Sequence, residues 1–328
     1  MRTIHLLLAS TLLATTACNG TASEGGGGSP AASSTQASVG SGNPSGPSGT
    51  SGAGTGSGTT TSGGTSVGDE LTLTLESFTV PPGGEVYKCQ NFSNPFGGGD
   101  AEVSEFESHM AKGSHHLLLF YKDGATDGAL EDCSGLEFAA TPYSTQLPDD
   151  SLSFPDGVAA IIPATTGLRI QSHYLNTTAD TITAHVAVTF HLAAPGSVTQ
   201  HAGVLFVVQP NIHIPAHSSQ VVTDDCSIPQ DMNLIKAGSH MHKHGTDFIA
   251  TGAGNTLVHT TTWDDPAPTK FNPPDVLHAG DPLHFACTFQ NDGDTPLTFG
   301  ESASTNEMCI FVGSFFPIAD GTATIGCN

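Results

Sequence analysis

Positively charged side chains are scarce in this sequence. Its 328 residues include 8 Lys and Arg residues against 31 Asp and Glu residues, which gives a formal net charge of −23 at pH 7. A surface this negative repels the phosphates of nucleic acids and the headgroups of anionic lipids. The composition therefore argues against a nucleic-acid partner.

Helical periodicity is also missing. No long stretch places apolar residues at the 3.6-residue spacing of an amphipathic helix, and apolar residues instead alternate with polar ones at 71–75 and 186–192. Clusters rich in Gly, Pro, Asn and Asp separate short apolar runs at 116–121, 203–208, 283–289 and 308–316. Short alternating strands between such turns predict an all-β protein.

The β-patterned part of the chain is long for a single domain. About 260 residues is large for one β-sandwich, and the segment AAPGSVTQ at 193–200 is a plausible joint. We therefore expect two tandem antiparallel β-sandwich domains of jelly-roll-like form, residues 68–194 and 195–328, with a cleft between them.

The N-terminal region has the features of an exported, tethered protein. Residues 1–17 have a basic start, an apolar stretch and small residues before Cys18, the layout of an export signal that is too short for a lasting membrane span. The small residues resemble a bacterial lipobox, which implies lipidation of Cys18. An ordinary secretory signal with an incidental cysteine is the alternative. Residues 18–67, rich in Gly, Ser and Thr, predict a disordered tether. We expect a lipoprotein of the outer membrane or cell surface, attached to the membrane through its lipid alone.

Six cysteines remain besides Cys18. An even number in an exported chain predicts three disulfides. None of the cysteines forms a CxxC motif, which argues against a zinc ribbon. Six cysteines can pair in many ways, so the sequence by itself leaves the connectivity open.

Sixteen histidines are many for a chain with so few charges. Metal-type ligands occur in four apolar or strand-like segments: GSHHLLLF with His115 and His116, LRIQSHYLN with His173, AGSHMHKHG with His240, His242 and His244, and STNEMCIF with Met308. On a strand, residues i and i+2 face the same side, so His240 and His242 can bind one ion. Two imidazoles and a thioether favour copper, especially Cu(I).

Each segment alone also has an ordinary structural interpretation. On a regular strand His115 and His116 point to opposite faces, so they can share a metal only if the strand is distorted or the rings use different nitrogens. The pair is otherwise the end of a strand. His173 alone would be a hydrogen-bonded histidine, and Met308 alone would be part of a core.

Taken together and in this order, the four segments resemble the type II, ascorbate-dependent copper monooxygenases, which include peptidylglycine α-hydroxylating monooxygenase and dopamine β-monooxygenase. The matching motifs are a His-His pair, QSHY at 171–174, HMHKHG at 240–245 and EMC at 307–309. The resemblance covers nearly all of residues 70–328.

The resemblance implies two copper ions per chain, with ascorbate or an equivalent reductant. The first copper, which donates electrons, would be bound by His115, His116 and His173. The second, which meets O₂, would be bound by His240, His242 and Met308, the residues closest to catalysis. The implied disulfides are Cys89–Cys133, Cys287–Cys309 and Cys226–Cys327. The candidates for supporting these sites are Gln171, Tyr87 and His244.

The sequence departs from the peptide-amidating members of the family. These hold the substrate carboxylate with an arginine where this chain has Gly238, and they have polar and tyrosine side chains where it has Ile310 and Val312. Lys236 is near in sequence, but its direction relative to His240 does not follow from the sequence. Peptide amidation is therefore not supported.

We expect an enzyme, a monomer, that hydroxylates an activated C–H bond of a small organic substrate with O₂. A copper-binding surface lipoprotein without enzymatic activity is the first alternative. A structural or adhesive β-sandwich with incidental histidines is the second.

Overall fold

The structure, a computed structural model, describes residues 70–137, 139–319 and 323–327. The predicted signal segment, Cys18 and the tether at 18–67 lie outside these residues. All described residues belong to one compact unit. Within the described ranges there is no helix that is long and apolar enough to cross a membrane.

The described chain is built from β-strands joined by turns, so the predicted all-β class is confirmed. The first twelve strands are β1 (Glu70–Thr74), β2 (Phe78–Val80), β3 (Glu85–Phe92), β4 (Ala101–Met110), β5 (Ser114–Asp123), β6 (Glu131–Asp132), β7 (Tyr143–Thr145), β8 (Asp149–Ser153), β9 (Val158–Ile162), β10 (Thr166–Leu175), β11 (Ile182–Ala184) and β12 (Val186–Leu192). The other twelve are β13 (Gln200–His201), β14 (Gly203–Val208), β15 (His213–Ile214), β16 (Ser218–Ser227), β17 (Met232–His240), β18 (Gly245–Gly252), β19 (Asn255–Thr260), β20 (Thr269–Leu277), β21 (Pro282–Asn291), β22 (Leu297–Thr298), β23 (Ile310–Phe316) and β24 (Thr324–Ile325).

The first thirteen strands form three sheets. A six-stranded sheet has the order β1-β12-β4-β9-β13, with β8 paired to β4, and a five-stranded sheet has the order β6-β3-β10-β5-β7. Strands β2 and β11 pair as a small third sheet. Strand β13, which follows the loop after β12, still pairs with β9 in the first sheet.

The later strands form three more sheets. Their orders are β20-β17-β23-β14-β24, β16-β21-β18-β19 and β15-β22. Most neighbouring strands in both halves are antiparallel, as the short alternating segments predict. The jelly-roll-like form and the domain boundaries stay predictions.

Each half has its own hydrophobic core. Val188 and Phe190 on β12 are fully buried and contribute to the first core, while Phe285 and Phe289 on β21 contribute to the second. On both strands buried side chains alternate with more exposed ones, because successive residues point to opposite faces of a sheet. Ile235 on β17 packs with the first core although it lies in the second half of the chain.

Strand β10 lies at the centre of its sheet and is buried on both faces. Leu168 and Ile170 pack into the first core. Arg169, Gln171 and His173 alternate with them and therefore face away from that core, yet they are buried too. Burying a row of polar groups on one face of a central strand costs free energy unless the groups have hydrogen-bond or ionic partners. This face is therefore a candidate position for a functional site.

Three disulfides cross-link the described part of the chain. They join Cys89 to Cys133, Cys226 to Cys327, and Cys287 to Cys309. These are the pairings that the family resemblance implies. The first links β3 to the loop after β6, and the third links β21 to the residue before β23, so both hold strands or loops that lead to predicted metal ligands.

We expect Phe285→Ala to destabilise the second half by about 3–5 kcal/mol, because it removes a fully buried ring that stacks on Phe248 at a centroid distance of 5.9 Å. Denaturant unfolding measures this change. Val221→Ala is the matched control, since Val221 is 56% exposed and its truncation should cost no more than about 0.5 kcal/mol. Equal small effects of the two substitutions would contradict the assignment of this core.

Candidate metal centre

Five buried histidines from both halves of the chain lie against one another. They are His115, His116, His173, His240 and His242, each exposed by 8% or less. The ring centroids of His115 and His240 are 4.7 Å apart, and those of His116 and His240 are 5.1 Å apart. The structure thus brings together all five histidines that the resemblance implies as ligands.

The ring nitrogens of these histidines form two groups. One consists of His115, His116 and His173, the other of His115, His240 and His242. Within each group, one ring nitrogen of each histidine lies within 4.8 Å of the corresponding nitrogens of the other two. His115 belongs to both groups. The two sets of ligands are therefore in contact in this structure.

A β-bulge explains how the adjacent His115 and His116 reach one site. Strand β10 pairs His173 with His116 and then Tyr174 with Ser114, so His115 is an extra residue without a direct partner on β10. A bulge breaks the strict alternation of side-chain directions. This is the strand distortion that the sequence reasoning required for a shared metal.

The His240 and His242 pair arises from a turn, not from a continuous strand as the sequence reasoning assumed. Strand β17 ends at His240, and His242 lies in the turn before β18. The buried carboxylate of Glu307 accepts hydrogen bonds from the backbone N–H of His242 at 3.1 Å and of His244 at 2.9 Å. These bonds bend the chain after His240 and bring the two imidazoles to a centroid distance of 5.2 Å.

Two of the histidines are held in one tautomer by groups that only accept hydrogen bonds. His173 donates from Nε2 to the Glu85 carboxylate at 2.9 Å, and His242 donates from Nδ1 to the backbone carbonyl of Asn306 at 3.1 Å. The proton on one ring nitrogen leaves a lone pair on the other. That lone pair lies on Nδ1 of His173 and on Nε2 of His242.

Two glutamines do the same for His240 and His116. The amide of Gln146 donates to the carbonyl of Ser239 and accepts from Nδ1 of His240 at 2.8 Å. The amide of Gln171 donates to a backbone carbonyl and accepts a long bond of 3.4 Å from Nε2 of His116. The lone pairs are therefore on Nε2 of His240 and on Nδ1 of His116.

The nitrogens left over are buried and unpaired. Nδ1 of His116, Nδ1 of His173, Nε2 of His242 and both ring nitrogens of His115 have no hydrogen-bond partner among the described residues. Leaving one buried polar atom unsatisfied costs roughly 1–3 kcal/mol, so several together need an explanation. Imidazole nitrogens anchored on one side and free on the other are the usual arrangement around a bound transition metal.

Burial keeps these imidazoles neutral. Desolvation, helped by neighbouring imidazoles, lowers the pKa of His115, His173 and His240 well below the ordinary histidine value. It also lowers the pKa of His116 to about 3 and that of His242 to about 4, although hydrogen bonds at each ring oppose the shift. A neutral imidazole is the form that binds a metal, so the site needs no deprotonation near neutral pH.

The donor set fits copper. The groups contain uncharged imidazoles and no carboxylate or thiolate, and the described cysteines are in disulfides. Met308, 3% exposed, follows Glu307 and lines the same cavity as His116 and His240. Imidazoles with a nearby thioether suit copper better than magnesium or calcium, which take oxygen ligands.

The three predicted supporting residues lie around the histidines. Tyr87 stacks on His173 with ring centroids 3.7 Å apart and donates its hydroxyl to the backbone carbonyl of Glu301 at 2.5 Å. Gln171 bonds His116 as described. His244 lies behind His242, with its Nδ1 2.9 Å from the Glu307 carboxylate, and belongs to neither nitrogen group.

The sequence did not predict three groups that orient the histidines through hydrogen bonds, which are Glu85, Gln146 and the carbonyl of Asn306. It also did not predict the contact of Trp263, whose ring centroid is 5.4 Å from that of His115. Glu85 had a signal, because it lies two residues before Tyr87 on β3 and so shares its face. No sequence signal pointed to Gln146, because 94 residues separate it from His240. The role of Glu307 could be suspected only from its place before Met308.

The metal-free protein should lose stability in acid partly through His116 and His242. Their folded-state pKa values of about 3 and about 4 lie below the ordinary value of 6.5, so the unfolded chain binds more protons between these limits. The contribution of these neutral imidazoles to the free energy of unfolding is complete above about pH 6.5. It is lost as the pH falls towards about 4 for His242 and about 3 for His116, at a rate on the order of 1 kcal/mol per pH unit for each residue.

Urea unfolding of the metal-free protein from pH 7 to pH 5 measures this loss. The double variant His116→Gln/His242→Gln should show a shallower decline than the wild type. The exposed pair His217→Gln/His259→Gln serves as the control. Parallel curves for wild type and the His116/His242 variant would rule out neutral burial of these rings.

Comparisons with known proteins agree with the donor set. Residues 200–324 match the family model described as "Copper type II ascorbate-dependent monooxygenase, C-terminal domain". The match includes His240, His242 and Met308, while His115, His116 and His173 lie before it. No curated protein matches the sequence of this chain.

Two solved structures show a weak likeness. The crystal structure of the STIV MCP has a TM-score of 0.33 and 11% identity, covering 76% of this chain and 97% of that one. The major capsid protein P2 from bacteriophage PM2 has a TM-score of 0.29 and 7% identity, covering 77% and 99%. TM-scores this low carry no argument about this chain. The family match over residues 200–324 supports a function of the copper monooxygenase type.

Proposed function

We propose that this chain uses two copper ions to hydroxylate an activated C–H bond of a small organic substrate, with O₂ and ascorbate or a similar one-electron reductant. The observation that carries the proposal is the set of buried imidazole nitrogens that are fixed on one side and unpaired on the other. The family match supports the type of chemistry.

The residues divide between two ions. His115, His116 and His173 would hold the copper that supplies an electron, and His240, His242 and Met308 would hold the copper that meets O₂. When bound, copper supplies one-electron redox chemistry and activation of O₂. Neutral imidazole and thioether donors favour the Cu(I) state that this chemistry needs.

The surrounding side chains fix the rings in place. Glu85, Gln171, Gln146 and the carbonyl of Asn306 each hold the outward N–H of one ring, so that its other nitrogen points inward. Such partners set the tautomer and orientation of a ligand and typically change metal affinity by about 10–100-fold when removed.

The loop before Met308 ties the two sets of ligands together. The Glu85 carboxylate, which orients His173, also accepts bonds from the backbone N–H of Ala303 at 2.5 Å and from the hydroxyl of Ser302 at 2.8 Å. The same loop carries the Asn306 carbonyl that orients His242. This shared network holds both sites at a short separation, which favours passage of an electron between them.

A cavity reaches the second site. It is lined by His240, Met308 and His116 together with apolar and small polar side chains. A protein that only stores copper has no need of such a space beside its ligands. This observation favours an enzyme over the alternative of copper binding without turnover.

Oxygen consumption tests the proposal. The copper-loaded chain with ascorbate should consume O₂, and incubation with an extract of the source cells should add one oxygen atom to a metabolite, detected by mass spectrometry. Met308→Leu keeps the side-chain volume and removes the thioether, so it should abolish hydroxylation and leave the three-histidine copper bound. Met232→Leu, in the second core, is the matched control. Full activity of Met308→Leu would refute the assignment of Met308.

We further propose that the protein is exported as a monomer and anchored through lipidated Cys18, with residues 18–67 as the tether. The support is the sequence pattern alone. Cys18→Ser should move the protein from the membrane fraction of the source cell to the soluble fraction and stop incorporation of labelled palmitate. Unchanged fractionation and labelling would show that Cys18 is not the anchor.

A further inference from the structure

The loop between β19 and β20 reaches from the surface to the buried histidines. This tryptophan loop, TTWDDPAP at 261–268, carries Trp263, the single tryptophan of the chain. The Trp263 ring is half-buried, and its centroid is 5.4 Å from that of the His115 ring. Asp264 and Asp265, the next two residues, are exposed. Trp263 therefore lies between solvent and the candidate metal centre.

His115 differs from the other four histidines of the centre. Both of its ring nitrogens are buried and lack a hydrogen-bond partner among the described residues, whereas acceptors anchor the other four rings. His115 is also shared by the two groups of ring nitrogens. An electron that arrives at the His115 ring thus reaches a ligand of the copper proposed to supply electrons.

A second aromatic side chain contacts this ligand set, but it is covered by two loops. Tyr87 stacks on His173, and its hydroxyl donates to the backbone carbonyl of Glu301. Gly135 packs so closely on the Tyr87 ring that a Cβ atom added there would overlap it. A dissolved molecule meets these loops before it meets Tyr87, so Trp263 is the more direct aromatic route from the surface.

The surface next to Trp263 is acidic. The carboxylates of Asp264 and Asp265 have one ammonium near them, that of the exposed Lys112 in the turn before β5, which interacts electrostatically with Asp265. The Thr262 hydroxyl donates to the Asp264 carboxylate and holds that side chain against the loop. One negative charge is left uncompensated in this group, in a chain of formal net charge −23. Such a surface attracts cations and repels anions.

The loop holds Trp263 in a fixed position relative to the ligands. Pro266 and Pro268 line the cavity together with His240 and Met308. Each proline fixes its own φ and biases the residue before it towards extended backbone, so this part of the loop has little conformational freedom. The Trp263 ring also packs against the second core.

We propose that Trp263 is the residue through which electrons enter the centre, and that the donor is a small, positively charged one-electron reductant that binds beside Trp263, Asp264 and Asp265. Each donor gives one electron to the copper held by His115, which changes from Cu(II) to Cu(I), and no bond forms or breaks. Two such transfers, with two protons, balance the hydroxylation of one C–H bond and the release of one water from O₂. This inference rests on the proposed function and names the class of reductant for it. Ascorbate, an anion near neutral pH, is the disfavoured donor.

Fluorescence quenching of the metal-free full chain tests the binding surface without copper, because Trp263 is the single tryptophan. Acrylamide, N-methylpyridinium and iodide serve as uncharged, cationic and anionic quenchers, each scaled to its quenching of N-acetyltryptophanamide. Acrylamide should reach Trp263, and at low salt the cation should quench about threefold more than iodide. Asp264→Asn/Asp265→Asn should bring the two close together, as should about 0.5 M salt.

Asp224→Asn/Asp225→Asn is the matched control. It removes another adjacent pair of aspartates, on strand β16, which β21 and β18 separate from β19. The two double variants change the net charge by the same amount. The control should keep the wild-type preference for the cation, because exposed charges farther away than a Debye length are largely screened.

Reduction of the copper(II)-loaded chain, without O₂ or substrate, tests the route of the electron. Loss of the Cu(II) signal in electron paramagnetic resonance of rapidly frozen samples measures it, with hexaammineruthenium(II) as the cationic donor and ascorbate as the anionic one. Added salt should slow the first reaction and speed the second. Trp263→Leu should slow reduction by hexaammineruthenium(II) several-fold while retaining both coppers. Trp263→Phe should restore part of the rate, because it keeps an aromatic ring.

Four results would each overturn the inference. They are failure of acrylamide to quench Trp263, equal quenching by the cation and iodide, a wild-type preference in Asp264→Asn/Asp265→Asn, and reduction of Trp263→Leu at the wild-type rate.

The outcome is separable from that of the proposed function. A chain that shows the expected quenching and reduction but adds no oxygen to any metabolite would refute the monooxygenase and leave the electron route standing. A chain that hydroxylates a metabolite, and whose Trp263→Leu variant is reduced at the wild-type rate, would refute the electron route alone.

Discussion

Five neutral imidazoles are buried against one another, and the irregular features of the described structure serve to position them. Each ring is removed from water, and inward-facing nitrogens on four of the five rings have no hydrogen-bond partner among the described residues. At roughly 1–3 kcal/mol for each unsatisfied atom, this arrangement is costly for a protein whose whole stability is about 5–15 kcal/mol. A bound metal would remove that cost. Acceptors already anchor the outer nitrogens of four of the rings, those of His116, His173, His240 and His242.

The same constraint accounts for the irregular features of the fold. The β-bulge at His115, the turn that carries His242 and the buried Glu307 all depart from regular sheet structure, and all serve to direct an imidazole. The regular parts have a different task. The two cores and the disulfides hold these irregular segments against one another, and the Glu85 carboxylate joins the loop before Met308 to the strand that carries His173.

The fold class and the five histidines could be predicted from the sequence, each from a different kind of pattern. The all-β class follows from period-two patterning, as on β12 and β21, because alternation reflects one buried face. The five histidines could be named from their motifs. The shape of the sites could not, since the bulge at His115 and the end of β17 at His240 depend on partners far away in sequence. Gln146 and the direction of Lys236 likewise emerge only when strands from both halves are brought together.

A copper titration of the metal-free chain tests whether the buried histidines hold copper. Trp263, the single tryptophan, lies beside His115, so its fluorescence reports occupation of the centre. We predict that fluorescence falls until two copper ions are bound per chain, that both survive dialysis, and that His115→Ala weakens retention of copper. A chain that retains no copper, or whose copper is readily displaced by zinc, would contradict this prediction.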